Sequence, residues 1–250
     1  MRTWEKHSNN RIGERAILED IGDGENGSVE FKRKFTSPEK IAREIIAFAN
    51  SNGGRLFIGV DDDGSIVGVK SEKEEIAMIE HACAFYCDPP ISPRIEILEL
   101  KGKDVIVAYV AESNDKPHWL VENGASGGTT TGERQAFIRL HDKTVAASKE
   151  VIRVMRSERA DAPPMKINIG RLEHALFDYL NKNERITVKE FKKLVNISER
   201  RASIILVRLV HAGTLFIHTF EKEEFFTFAA DPALKSAKIS PKVSPKISQR

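Results

Sequence analysis

Side chains able to meet a nucleic-acid chain recur along this sequence of 250 residues. Arg200, Arg201 and Ser203 follow Glu199 in the opening turns of a helix that Ser198 is placed to cap. Donors of these types read base edges in a major groove. Lys189, Lys192 and Lys193 stand on the segment before it and supply point charges for phosphates. Lys32-Arg33-Lys34, together with Arg134 and Arg139, offers further backbone contacts. The plainer reading of any one of these is a solvated surface cation. Glu221-Lys222-Glu223-Glu224 works against duplex binding at its own position, because a net-negative turn is repelled by phosphates.

Other chemistries find less support. Gly124 to Gly132 is a flexible Gly/Ser/Thr run, but Gly132 is followed by Glu133 and Arg134. A phosphate-gripping Walker A loop needs Gly-Lys-Ser/Thr, so no ATP site of that type is expected. Cys83 and Cys87 are too few for a disulfide framework, and His81 alone does not complete a zinc set. They read as reduced thiols packed in a core. No stretch approaches the roughly 20 apolar residues of a membrane span, and Met1 to Asn10 lacks the apolar heart of a signal peptide. A cytoplasmic protein without a membrane partner is expected. With a formal charge of only +2, a nucleic-acid surface must come from charge distribution and not from the total.

The elements that must position these residues follow from pattern. Val29 to Phe31 lies in a short strand, predicted over Ser28 to Phe31, and Ser37-Pro38 opens a helix whose Ile41, Ile45, Phe48 and Ala49 share one face. Gly53-Gly54 turns into a strand over Arg55 to Val60, and Asp62-Asp63-Gly64 is predicted to fold it back onto Ser65 to Val69. A helix is predicted over Lys73 to Cys87, a hairpin over Ile95 to Leu100 and Val105 to Ala111, a strand over Ala136 to Leu140 and a closing helix over Ser148 to Arg156. This is an α/β domain of α+β type with a mixed sheet, assigned residues 1 to 160, with Ala162-Pro163-Pro164 as the linker.

A second domain, 161 to 230, has a first helix marked by Leu172, Ala175, Leu176, Tyr179 and Leu180. Thr187 to Glu190 then has capping-box spacing, and Ser198 begins a helix that Gly213 ends. Two strands, Leu215 to Phe220 and Phe225 to Phe228, complete it. Three helices and a hairpin in this order make a small winged helix-turn-helix. Residues 231 to 250, with their repeated Ser-Pro-Lys, read as a disordered basic tail.

The ordered run Val29-Glu30-Phe31-Lys32, Ile46-Ala47-Phe48-Ala49-Asn50-Ser51-Asn52-Gly53-Gly54, Leu56 to Val60, Asp62-Asp63-Gly64 and Ile66-Val67-Gly68-Val69 resembles the Schlafen-AlbA domain. Ala136-Phe137-Ile138-Arg139-Leu140 and Ala146-Ala147-Ser148 resemble its C-terminal end, so the resemblance covers about the first 155 residues. It implies nucleic-acid binding, and members of this AlbA_2 type are often fused to winged helices. Some relatives are metal-dependent RNases that cut transfer RNA. For that branch the resemblance implies an acidic site at Glu25, Glu30 and one of Asp61 or Asp62, holding Mg²⁺ or Mn²⁺, with Lys32 on the same strand face as Glu30. The sequence departs from the vertebrate members in lacking their Cys-rich zinc site and in carrying one copy of the domain. A two-lobed cleft would then need a homodimer.

Three functions stand at this point. The leading one is a DNA-binding regulator of transcription that uses Arg200, Arg201 and Ser203 on bases and Lys32, Arg33 and Lys34 on the backbone. The alternative is a metal-dependent endoribonuclease acting on structured RNA through Glu25, Glu30, Lys32 and Asp62. The third is a protein-interaction module.

Overall fold

The computed structural model describes residues 4–7, 11–121, 134–159, 169–220 and 223–229. The Gly-rich run 124–132 with Glu133, the segment Ala162-Pro163-Pro164, Glu221-Lys222 and the tail from 231 lie outside the described residues. The chain divides into two units, Met1–Met165 and Lys166–Arg250.

The first unit is mixed α and β. Its sheet has the order β1 (Trp4–His7), β5 (Arg94–Leu100), β6 (Lys103–Val110), β3 (Gly54–Ile58) and β2 (Val29–Lys32). The outer pairs β1/β5 and β2/β3 are parallel, and β5/β6 and β3/β6 are antiparallel. Period-two alternation then sorts each strand onto two faces. Val29, Phe31, Phe57, Val105 and Val107 pack with Ile17 and Ile21 of α1 (Arg11–Asp23). Leu56, Ile58, Ile106 and Ala108 pack with Ile41, Ile45 and Phe48 of α2 (Pro38–Asn50) and with Ile76 and Ile79 of α3 (Glu72–Phe85).

Ser37 caps α2 as its spacing predicts, accepting from the Lys40 N–H, and Pro38 sits at the helix start. Asn50, the last residue of α2, is buried and ties distant segments together. Its Nδ2 donates to the carbonyls of His118 at 2.9 Å and Phe137 at 3.0 Å, and its Oδ1 accepts from the His118 N–H at 2.8 Å. The buried His118 ring also bridges the Pro89 carbonyl and the Ser113 hydroxyl, each at 2.7 Å. At the turn after α2, Gly53 has φ 74°, and a Cβ there would lie 2.6 Å from the Val110 carbonyl oxygen. Only glycine admits both the backbone and the close approach.

Several expectations change. Ser65 to Val69 does not form a strand beside β3; a single bridge joins Val60 to Ile66. The reason lies in the sheet order, since β2 and β6 already occupy both edges of β3. Cys87 is not on the helix with Cys83: α3 ends at Phe85, and Cys87 opens β4 (Cys87–Asp88), which pairs with β7 (Trp119–Leu120). Both thiols are free and buried, and burial pushes Cys83 up to about 12 and Cys87 up as well. The polar lead-in also contains α1, whose Ile17 and Ile21 four residues apart are buried. β8 (Phe137–Leu140) and β9 (Lys143–Ala146) form a separate hairpin, followed by α4 (Lys149–Ser157), which Ser148 caps.

The second unit has α5 (Arg171–Leu180), α6 (Val188–Val195), α7 (Glu199–His211) and an antiparallel pair, β10 (Leu215–Phe220) and β11 (Glu223–Phe228). Thr187 and Glu190 form the reciprocal cap of α6. Asn196 takes the left-handed conformation at φ 52°, and Ser198 then caps α7 by accepting from the Arg201 N–H at 3.3 Å. Leu176, Phe191, Leu206, Leu215 and Phe226 make the core. The segment before α6 joins the hairpin through paired backbone bonds between Ile186 and Phe226, at 3.0 and 2.8 Å. No helix among the described residues is long and apolar enough to cross a membrane.

Candidate nucleic-acid interface and acidic cluster

Glu30 lies on β2 between Val29 and Phe31, and its alternation turns it toward the α2 side of the sheet, where it is buried. A carboxylate there needs an internal counter-charge. Arg139 of β8 provides it: its Nη1 donates to Glu30 Oε2 at 2.8 Å, and its side chain is only 2% exposed. The same guanidinium reaches Glu44 of α2 at 3.4 Å, Thr144 Oγ1 at 3.1 Å and the Asn26 carbonyl at 2.8 Å, and it lies over the Phe48 ring. One side chain thus joins β2, α2, β8, β9 and the loop after α1.

Lys32 closes the cluster on its other side. Its ammonium donates to Glu30 Oε1 and to the Phe31 carbonyl and stands 3.9 Å from Glu25. Burial alone would lower the Lys32 pKa, but the Glu30 bond and the charges of Glu30, Glu25 and Glu44 outweigh it and hold the ammonium above its ordinary value. Glu25 accepts from the Phe31 N–H at 2.8 Å. Burial raises its pKa against that bond, and the charge of Glu30 adds to the rise. Glu44 is likewise raised by burial, against its Thr144 hydrogen bond.

The structure therefore brings Glu25, Glu30 and Lys32 together and leaves Asp62 at the exposed turn, near enough for its charge to act on Glu25. Asp61 is engaged by Arg33 at 3.3 Å. Both Glu30 oxygens are taken, one by Lys32 and one by Arg139, and among the described residues no three His, Cys, Asp or Glu side chains converge as metal ligands. In this arrangement Glu25, Glu30 and Asp62 do not fit a Mg²⁺ or Mn²⁺ ion.

Arg139 is corrected as a phosphate contact, because a buried side chain spent on Glu30 and Glu44 cannot reach one. The sequence signal was present: Arg139 shares a strand face with Phe137, two residues earlier. Glu44, Thr144 and Asn26 were missed, since nothing in their local spacing marks them. Arg134 pairs with Asp88 at 3.0 Å. Of the basic run, Lys34 alone has no ion pair among the described residues.

On the second unit, Ser203 is corrected as a base contact: it is 2% exposed and faces the core side of α7 with Ala202 and Leu206. Arg200 and Arg201 are exposed and have no ion-pair partner among the described residues. Lys192 of α6 pairs with Glu199 at 3.3 Å, whereas Lys189 and Lys193 are exposed and unpaired among the described residues.

Residues 25–148 match the family model described as Schlafen, AlbA_2. Among solved structures, the chain is similar to the DIP2311 protein from Corynebacterium diphtheriae, with 18% identity and a TM-score of 0.46, covering 78% of this chain and 36% of that one. It is also similar to the N-terminal domain of a RecG-related protein from Nitrosomonas europaea, with 20% identity and a TM-score of 0.37, covering 63% of this chain and 95% of that one. The motifs from Glu25 onward fall inside the matched span, and the N-terminal unit is similar to the Schlafen AlbA_2 family over residues 25–148.

Proposed function

We propose that this protein binds nucleic acid, and that its C-terminal unit is a winged helix-turn-helix that binds duplex DNA in a regulatory role. The observation that carries the reading is the first turn of α7. Arg200 and Arg201 stand there exposed and without carboxylate partners among the described residues, behind a Ser198 cap that fixes the direction of the helix. Lys189 and Lys193, exposed on the preceding helix α6, serve as phosphate contacts, the usual division between positioning and reading. Purified protein is expected to bind labelled duplex DNA with strong salt dependence, and Arg200→Ala plus Arg201→Ala is expected to abolish binding without unfolding the unit. Retention of full affinity by that double variant would remove the reading.

A second reading, endoribonuclease activity of the N-terminal domain, is favoured by the convergence of Glu25, Glu30 and Lys32. The engagement of both Glu30 oxygens opposes its metal requirement. Incubation with labelled transfer RNA, with and without Mn²⁺, decides it: cleavage that is lost in Glu25→Gln supports a nuclease, and intact RNA under both conditions removes it.

A further inference from the structure

Between the start of α5 and one face of α7 runs a groove of about 490 Å³, which the reading of Arg200 does not use. Arg201, Ile204, Ile205 and Arg208 line it from α7, at the spacing of a single helix face, and Arg171 and Leu172 line it from α5. Three exposed arginines therefore border one concavity, and none has a carboxylate ion pair among the described residues. Glu173 also borders the groove, but its Oε2 accepts from the Gly170 N–H at 2.9 Å. Three positive charges against one negative leave an excess of two.

Mutually repelling cations held in one groove favour an anion, and guanidinium forks match phosphate oxygens two at a time. The apolar wall of Leu172, Ile204 and Ile205 reduces solvent screening beside them. Arg201 and Arg208 are separated by roughly 10 Å along the helix, at 1.5 Å per residue. That span exceeds one phosphate and suits a run of phosphodiesters. We infer that the α5/α7 groove is a phosphodiester-backbone site in which Arg171, Arg201 and Arg208 grip the phosphates of a nucleic-acid strand. The inference rests on the reading of this unit as a nucleic-acid binder. It moves Arg201 toward the backbone and leaves Arg200 for the bases.

The test uses the full chain and the exposed pair Arg171→Ala plus Arg208→Ala, with Arg171→Lys plus Arg208→Lys as the charge-preserving control. Duplex affinity is measured against salt concentration. The alanine pair is expected to weaken binding at least tenfold at low salt and to flatten the log–log salt slope by about 1.8, or about 0.9 per lost phosphate contact. The lysine pair is expected to keep the slope. Unchanged affinity and slope in the alanine pair, with binding intact in the unaltered chain, overturn the groove and leave the reading of Arg200 standing. Loss of the slope in the alanine pair, alongside full binding by Arg200→Ala, upholds the groove and counts against that reading.

A second measurement follows the side-chain Nε–H signals of Arg171, Arg201 and Arg208 by NMR while a short oligonucleotide or inorganic phosphate is added. Shifts with the oligonucleotide, at concentrations where phosphate has no effect, uphold the proposal even if no tight duplex complex forms. Equal response to free phosphate, or no response to either, overturns it.

Discussion

The two units treat their cations in opposite ways. In the N-terminal domain, Arg139 and Lys32 are drawn inward and committed to Glu30, Glu44 and Glu25. In the C-terminal unit, Arg171, Arg200, Arg201 and Arg208 stay at the surface with no carboxylate of their own among the described residues. A buried cation with several acceptors organises the fold that holds it, and a surface cation without one is available to a partner. Residue type alone does not separate the two, since arginine serves in both groups.

The largest test of this contrast is Arg139→Ala. Removing it leaves Glu30 buried with one partner fewer, and loss of one member of a buried ion pair costs about 3–5 kcal/mol. Urea unfolding followed by NMR signals of each unit is expected to show the loss in the N-terminal domain alone; a loss below about 0.5 kcal/mol would break the contrast. Asn50→Ala comes next, at about 2–3 kcal/mol in the same unit, because the His118 N–H and the carbonyls of His118 and Phe137 lose their acceptor or donor.

His118 gives that unit a pH dependence. Burial lowers its pKa from 6.5, against the opposing bond to the Pro89 carbonyl and the charges of Asp115 and Asp88. A depressed pKa means that the unfolded chain binds the proton more readily, so the stabilisation is present above 6.5 and is lost as pH falls from there through the folded value. Stability measured across that window is expected to decline for the native chain and to stay flatter in His118→Gln. Ser198→Ala is expected to cost about 1 kcal/mol, in the C-terminal unit only, through loss of the α7 cap. Arg200→Ala plus Arg201→Ala sharpens the comparison from the other side: its stability change is expected within about 0.5 kcal/mol while duplex binding disappears.

Local rules made much of the fold legible. The caps Ser37, Thr187 and Ser198 and the buried face of α2 are decided within a few residues of themselves, and each is where its spacing puts it. The order of three helices and a hairpin in the second unit follows from the same kind of signal. The failed strand at Ser65 to Val69 shows where such rules stop. Its turn chemistry favours a hairpin, but strands distant in sequence had already taken both edges of β3.

The acidic cluster divides along the same line. Local pattern suffices to place Glu30 in an apolar strand with Lys32 on the same face, and Arg200 and Arg201 at the opening of a capped helix. Long-range packing is what brings Glu30 to Arg139, 109 residues away, adds Glu44 from α2 and turns Ser203 inward. A helix cap or a strand face is set by the geometry of adjacent peptides. The partner of a buried charge is set by which distant segments the packed core brings within hydrogen-bond reach, where low dielectric makes leaving that charge alone too costly.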